Sequence, residues 1–157
     1  MDQETLDRLD SLTRDANLNP GDFKVLSEGF VEIMRTEIGV VSFDLSEEGL
    51  SLLDPIIENI RESLLSDSQN FILNVMRIGS FLGETFIKLY GGQWIFNQQF
   101  KRWGVEVGLK NYEKIFINVF HKIVKRIING PEDSIDYYCK MNRDIIKNGF
   151  SDPKSKK

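Results

Sequence analysis

Few residues in this chain could do chemistry. His121 is the only histidine and Cys139 the only cysteine, so an imidazole general base, a catalytic triad or a histidine metal site would each depend on one side chain. His121 stands beside Lys122, Lys125 and Arg126 on the polar side of an apolar stripe. Neighbouring cations depress imidazole protonation and repel a metal ion, which points to a solvated basic face. Cys139 falls on the apolar stripe of the last helix, where a thiol acts as a small hydrophobe; a nucleophile needs an exposed, electropositive setting. One cysteine excludes an intramolecular disulfide framework and a multi-cysteine zinc site.

Glu84 lies one step off a buried face, where a cation could hold it half-buried. Together with His121 and Arg126 it forms the one set from which a hydrolase or transferase site could be built. Glu47 with Glu48, and Glu132 with Asp133, fit the first turns of helices, where carboxylates complement the helix dipole. Neither G-x-G-x-x-G nor G-x-x-x-x-G-K is present and no helix follows Gly91 and Gly92, so nucleotide phosphates have no cradle, and neither cofactor nor metal is expected. The basic face of His121, Lys122, Lys125 and Arg126 could contact phosphates, with Trp94, Trp103 and Phe100 for stacking. An isoelectric point near 5.1 argues against a dedicated nucleic-acid binder.

The elements that must position these residues follow from periodicity. Leu6, Leu9, Leu12 and Ala16 mark an amphipathic helix over 4–16. Asn19, Pro20 and Gly21 break it, and Asp22 is read as the N-cap of a second helix burying Phe23, Leu26, Phe30, Ile33 or Met34, and Ile38. Residues 40–43 read as a brief strand or an extended connector. Ser51 and Asp54 form a capping box for a helix from about residue 51, with Leu53, Ile56 or Ile57, Ile60 and Leu64 inward. Phe71, Val75, Ile78, Leu82, Phe86 and Leu89 define the longest helix. Its Gly79 and Gly83 share a face, and their helix-propensity cost implies close approach of another backbone. From residue 93 the period becomes two, through Trp94, Phe96, Trp103, Val105, Val107, Ile115 and Ile117, which predicts a three-stranded antiparallel meander over about 93–119. Phe120, Ile123, Val124, Ile127 and Ile128 resume a helix that stops at Asn129 and Gly130. A final helix opens at Pro131, Glu132 and Asp133 and runs through Ile135, Tyr138, Cys139 and Ile146.

Helices, then a meander, then helices make an α+β fold with helices at both chain ends. The expected organisation is a single domain over 1–149, with acidic N-terminal helices at 4–38, a core at 40–147 and a basic disordered tail at 150–157. A length of 157 residues supports one hydrophobic core without staples. The net charge of −4 hides a strong split: 5 basic against 16 acidic residues up to Asp67, and 15 against 8 after it. The first part would attract basic partners and repel nucleic acid, unless the two parts neutralise each other within the fold. With no signal-peptide core and no apolar run of about 18 residues, the expectation is a cytoplasmic protein that does not enter membranes.

Residues 79–94, GSFLGETFIKLYGGQW, and 122–135, KIVKRIINGPEDSI, with LSEEGLSLLDPII at 45–57, resemble a family of small bacterial proteins of unknown function over about residues 40–145. The resemblance implies one α+β domain and marks Gly79, Gly83, Glu84, Trp94, Lys125, Arg126, Asn129, Gly130, Glu132 and Asp133. These serve either a binding site or a structural network in which Glu84 or Asp133 pairs Lys125 or Arg126. The leading functional expectation is a non-enzymatic protein-interaction module, a bacterial immunity or regulatory protein whose acidic N-terminal region binds a basic partner. The alternatives are the hydrolase or transferase built on Glu84, His121 and Arg126, and a small-ligand-binding domain.

Overall fold

A 23-residue helix organises the molecule in the computed structural model, which describes residues 1–150. This is α5, Ser68–Tyr90, whose stripe Phe71, Val75, Ile78, Leu82 and Phe86 is buried. The Asp67 side chain caps its first N–H groups and Gly91, in the left-handed region at φ 75°, ends it. Around it stand α1 (Gln3–Thr13), α2 (Pro20–Thr36), α3 (Glu47–Ser51), α4 (Leu53–Ser66), α6 (Val119–Asn129) and α7 (Ile135–Asn148). Strands β1 (Gln93–Asn97), β2 (Arg102–Gly108) and β3 (Lys114–Ile117) form an antiparallel sheet in the order β1-β2-β3. The architecture is α+β, with the meander where the period changes. Among the described residues no helix is long and apolar enough to cross a membrane.

Register aligns Trp94 with Val105, Phe96 with Trp103, Val105 with Ile117 and Val107 with Ile115. Alternation then places all of these on one sheet face, toward the core. Phe23 of α2 joins the layers: its ring centroid lies 4.4 Å from Trp94, 5.4 Å from Trp103 and 5.5 Å from Phe120. A second group, Phe30, Phe43 and Phe81, closes the other end, with centroids 4.9–5.6 Å apart. Both geometries lie in the range where aromatic pairs add to area burial.

Several boundaries and contacts differ from the sequence reading. Helix α1 stops at Thr13, leaving Ala16 outside and Leu12 38% exposed; Thr5 and Thr13 take buried places instead. Asn19, not Asp22, is the N-cap of α2: Pro20 occupies the first turn, where its missing N–H costs nothing, and Asp22 closes the capping box by accepting from the Asn19 N–H. Residues 40–43 form a turn that drops Phe43 into the core rather than a strand, and Ile38 is exposed. Helix α4 begins at Leu53, near the expected start, but without the Ser51 cap: Ser46 caps the short α3 before it, and the Ser51 hydroxyl bonds the Glu48 carbonyl. The glycines of α5 admit aromatic rings and not a backbone: a Cβ on Gly79 would overlap Phe120, and one on Gly83 would overlap Trp94. Pro131–Asp133 is a separate 3₁₀ turn, and Ser134 caps α7 by accepting from the Tyr137 N–H. The tail beyond Phe150 lies outside the described residues.

Candidate functional site

The densest polar cluster is centred on Asp54, in the first turn of α4. Its Oδ1 accepts from Arg126 Nε at 2.7 Å and from the Ile135 N–H at 2.9 Å. Its Oδ2 accepts from the Asp136 N–H at 2.8 Å and the Ser134 hydroxyl at 3.0 Å. One carboxylate thus joins α4 to α6 and caps α7. Burial alone would raise the Asp54 carboxyl pKa, but the Asp136 and Ile135 N–H groups, Arg126 and Ser134 outweigh it and hold it below the ordinary aspartate value. Arg126 also donates to Glu58 at 2.8 Å and to the Asp54 carbonyl at 3.2 Å. Beside it, Arg61 donates to the Ile127 and Ile128 carbonyls at the end of α6.

Arg126 therefore does not belong to a solvated basic face: it is 2% exposed. It shares the inward stripe of Val119, Ile123 and Ile127, and Asp54 with Glu58, one turn apart on α4, compensate its charge. A signal for this was present, because Asp54, Glu58 and Arg61 recur at helical spacing beside the apolar stripe of α4.

The other expected site residues are distributed over separate contacts. Glu84 accepts from Trp94 Nε1 at 3.4 Å, and no cation among the described residues pairs with it. Asp133 accepts from Asn129 at 2.6 Å and pairs with Lys122 at 3.4 Å, and these two contacts keep its pKa low. Lys122 also lies over the Tyr138 ring, 5.3 Å from its centroid. Lys125 and Glu132 are exposed, and neither enters an ion pair among the described residues. The network implied by the resemblance thus takes different partners: Lys122 for Asp133, and Asp54 with Glu58 for Arg126.

His121 lines a groove of about 390 Å³ between α1 and α6, with Asp7, Asp10 and Arg102. Burial, then Lys125 and Arg102, lower its pKa against the pull of Asp10. Within that groove Arg102 pairs Asp10 at 3.3 Å, and Arg14 holds the same carboxylate at 2.7 Å. The acidic start of the chain and the cations after Asp67 do meet here. No hydrogen bond or ion pair among the described residues joins any two of Glu84, His121 and Arg126.

A cavity of about 630 Å³ opens between α3, the end of α5 and α7. Most of its charges pair off, Arg143 with Glu47 at 3.4 Å and Lys140 with Asp136 at 2.8 Å, while Glu48 enters no ion pair among the described residues; Tyr90 hydrogen-bonds Glu47 at 3.5 Å. Cys139 lines it, but burial pushes that thiol up to about 12, far from a usable thiolate. Asp54, at its edge, already accepts four hydrogen bonds. No three His, Cys, Asp or Glu side chains among the described residues could together hold a metal ion. What the arrangement can do is electrostatic. Of the 16 acidic residues up to Asp67, ion pairs among the described residues engage Asp10, Glu47, Asp54 and Glu58. Glu28 and Glu32 of α2 stay exposed, as do Glu4 and Asp7 of α1. Comparison with known proteins returns no match to a family model, a curated protein or a solved structure, so the family resemblance rests on its motifs.

Proposed function

We propose that the chain is a non-enzymatic protein-interaction module that engages a basic protein through the acidic surface of its N-terminal helices. One observation carries this: intramolecular pairing neutralises only part of the −11 segment, leaving Glu4, Asp7, Glu28 and Glu32 exposed to solvent. Such a surface steers a cationic partner to itself and repels nucleic acid. Binding of this kind suits an immunity or regulatory protein, and a single buried thiol suits the reducing cytoplasm.

The test is capture of partners by the tagged full chain from its native cell lysate, at low and moderate salt. Asp7→Lys with Glu28→Lys and Glu32→Lys reverses the exposed charge. Asp10 is left intact because it is tied to Arg14 and Arg102. A stoichiometric basic protein lost on charge reversal supports the reading. A partner retained by the reversed protein refutes the acidic surface.

A further inference from the structure

We propose that the cleft between α2, the segment before α3 and the end of α5 binds a free α-amino acid with an apolar side chain. Helical spacing builds one wall: Ser27, Val31 and Arg35 recur every four residues along α2, with Glu28 and Glu32 in the adjacent row. Asp44 and Leu45 close it from the segment before α3, and Lys88 from the last turn of α5. The cleft measures about 410 Å³, within the range of about 300–1,000 Å³ that suits a small molecule.

Two independent features point to a ligand. Ser27 is 2% exposed, yet its hydroxyl makes no hydrogen bond among the described residues, and unlike the sealed hydroxyl of Ser80 it lines a cleft from which a partner can reach it. Charge is the second. Glu28, Glu32, Asp44, Arg35 and Lys88 all line the cleft, and none enters an ion pair among the described residues. Elsewhere opposite charges that share a cavity pair, as Arg143 does with Glu47 and Arg102 with Asp10. Here Arg35 Nε is fixed on the Phe43 carbonyl at 2.6 Å, which orders the guanidinium and leaves its terminal nitrogens for a carboxylate. Lys24 and Glu84, one turn before Glu28 and Lys88, do not line the cleft, and Glu84 is bonded to Trp94. A basic peptide would meet Arg35 and Lys88, and an anion would meet three carboxylates. A zwitterion satisfies both signs, its carboxylate on Arg35 and Lys88 and its ammonium on Glu32 and Asp44. A peptide carries its terminal charges at opposite ends, whereas an α-amino acid carries both on one carbon. Half-buried Val31 and Leu45 give its side chain an apolar wall.

The probe is free leucine, titrated into the isotopically labelled full chain and followed by amide chemical shift. Isoamylamine, which lacks the carboxylate, and isocaproate, which lacks the ammonium, are titrated beside it. Leucine is expected to bind with a dissociation constant below about 1 mM, with shifts centred on Ser27, Val31, Leu45 and Lys88. Either analogue should bind at least about fivefold more weakly. Lys88→Gln and Asp44→Asn, at exposed positions whose side chains make no hydrogen bond among the described residues, should each weaken leucine about fivefold. Asp7→Asn, in the groove between α1 and α6, should leave leucine binding unchanged. No saturating shift with leucine or another apolar α-amino acid up to about 10 mM overturns the site. Equal binding of an analogue overturns the zwitterion, and wild-type affinity in both Lys88→Gln and Asp44→Asn overturns the cleft as its location. The acidic-surface reading stands or falls separately, because capture of a basic protein depends on Glu28 and Glu32 and not on Lys88.

Discussion

Removing the Asp54 carboxylate should be the most damaging polar substitution in the molecule. In Asp54→Ala the guanidinium of Arg126, 3% exposed at its side chain, keeps only one carboxylate, that of Glu58, itself 44% exposed, beside the backbone carbonyl of residue 54. The Ile135 and Asp136 N–H groups and the Ser134 hydroxyl lose their acceptor as well. Breaking a buried ion pair from one side costs about 3–5 kcal/mol, and the exposed Glu58 pair returns less than about 1 kcal/mol. Against a total stability of about 5–15 kcal/mol, that is a large fraction. At about 2–4 °C per kcal/mol for a chain of this size, the midpoint should fall by roughly 10 °C. Urea unfolding followed by circular dichroism measures the loss directly. Asp54→Asn, which keeps one carbonyl acceptor, should lose less, and adding Arg126→Met to Asp54→Ala should recover part of it. A single Asp54→Ala variant within about 0.5 kcal/mol of wild type would refute the cluster as the clamp on α7. The pH dependence has a definite sign. The Asp54 pKa is depressed in the folded state, so its contribution is complete above the unfolded value of about 3.8 and disappears as pH falls through the folded one. Between pH 4 and more acid conditions the wild type should therefore lose stability more steeply than Asp54→Asn.

Three other outcomes follow from the packing. Gly79→Ala and Gly83→Ala should each destabilise by about 1–3 kcal/mol despite better helix propensity, because Phe120 and Trp94 occupy the space of the new methyl; thermal melts check this, and a raised midpoint would contradict the ring contacts. Cys139, with its thiol pushed up to about 12, should resist a thiol reagent at pH 8 in the native protein and react fully once unfolded. A proton NMR titration of His121 should give a pKa below 6.5, and Lys125→Ala should raise it. Because that pKa is lowered in the folded state, His121 contributes stability above pH 6.5 that is lost as pH falls through the folded value.

Local sequence carried the element types well. The period of α5 and the alternation around Trp103, Val105 and Val107 are direct consequences of one-sided burial, so both appear in the structure at nearly the expected residues. Boundaries were less legible where two caps compete. Asn19 and Asp22 both suit a helix start, and only the capping box assigns them the N-cap and third positions.

By itself the sequence determined the order of helices and strands, the cofactor motifs it lacks and the −11 to +7 division of charge, because each is a property of spacing or composition along one chain. The tertiary structure alone decided which charges meet. Arg126 finds Asp54 across 72 residues, and Asp54 finds the N–H groups that open α7 across 81 and 82. Periodicity says which side of a helix is buried and leaves open what it is buried against. A charged residue suits water as well as a compensating partner, so although Arg126 shares the apolar stripe of its helix, the packed geometry decided that Asp54 and Glu58 hold it inside while Lys125 stays outside.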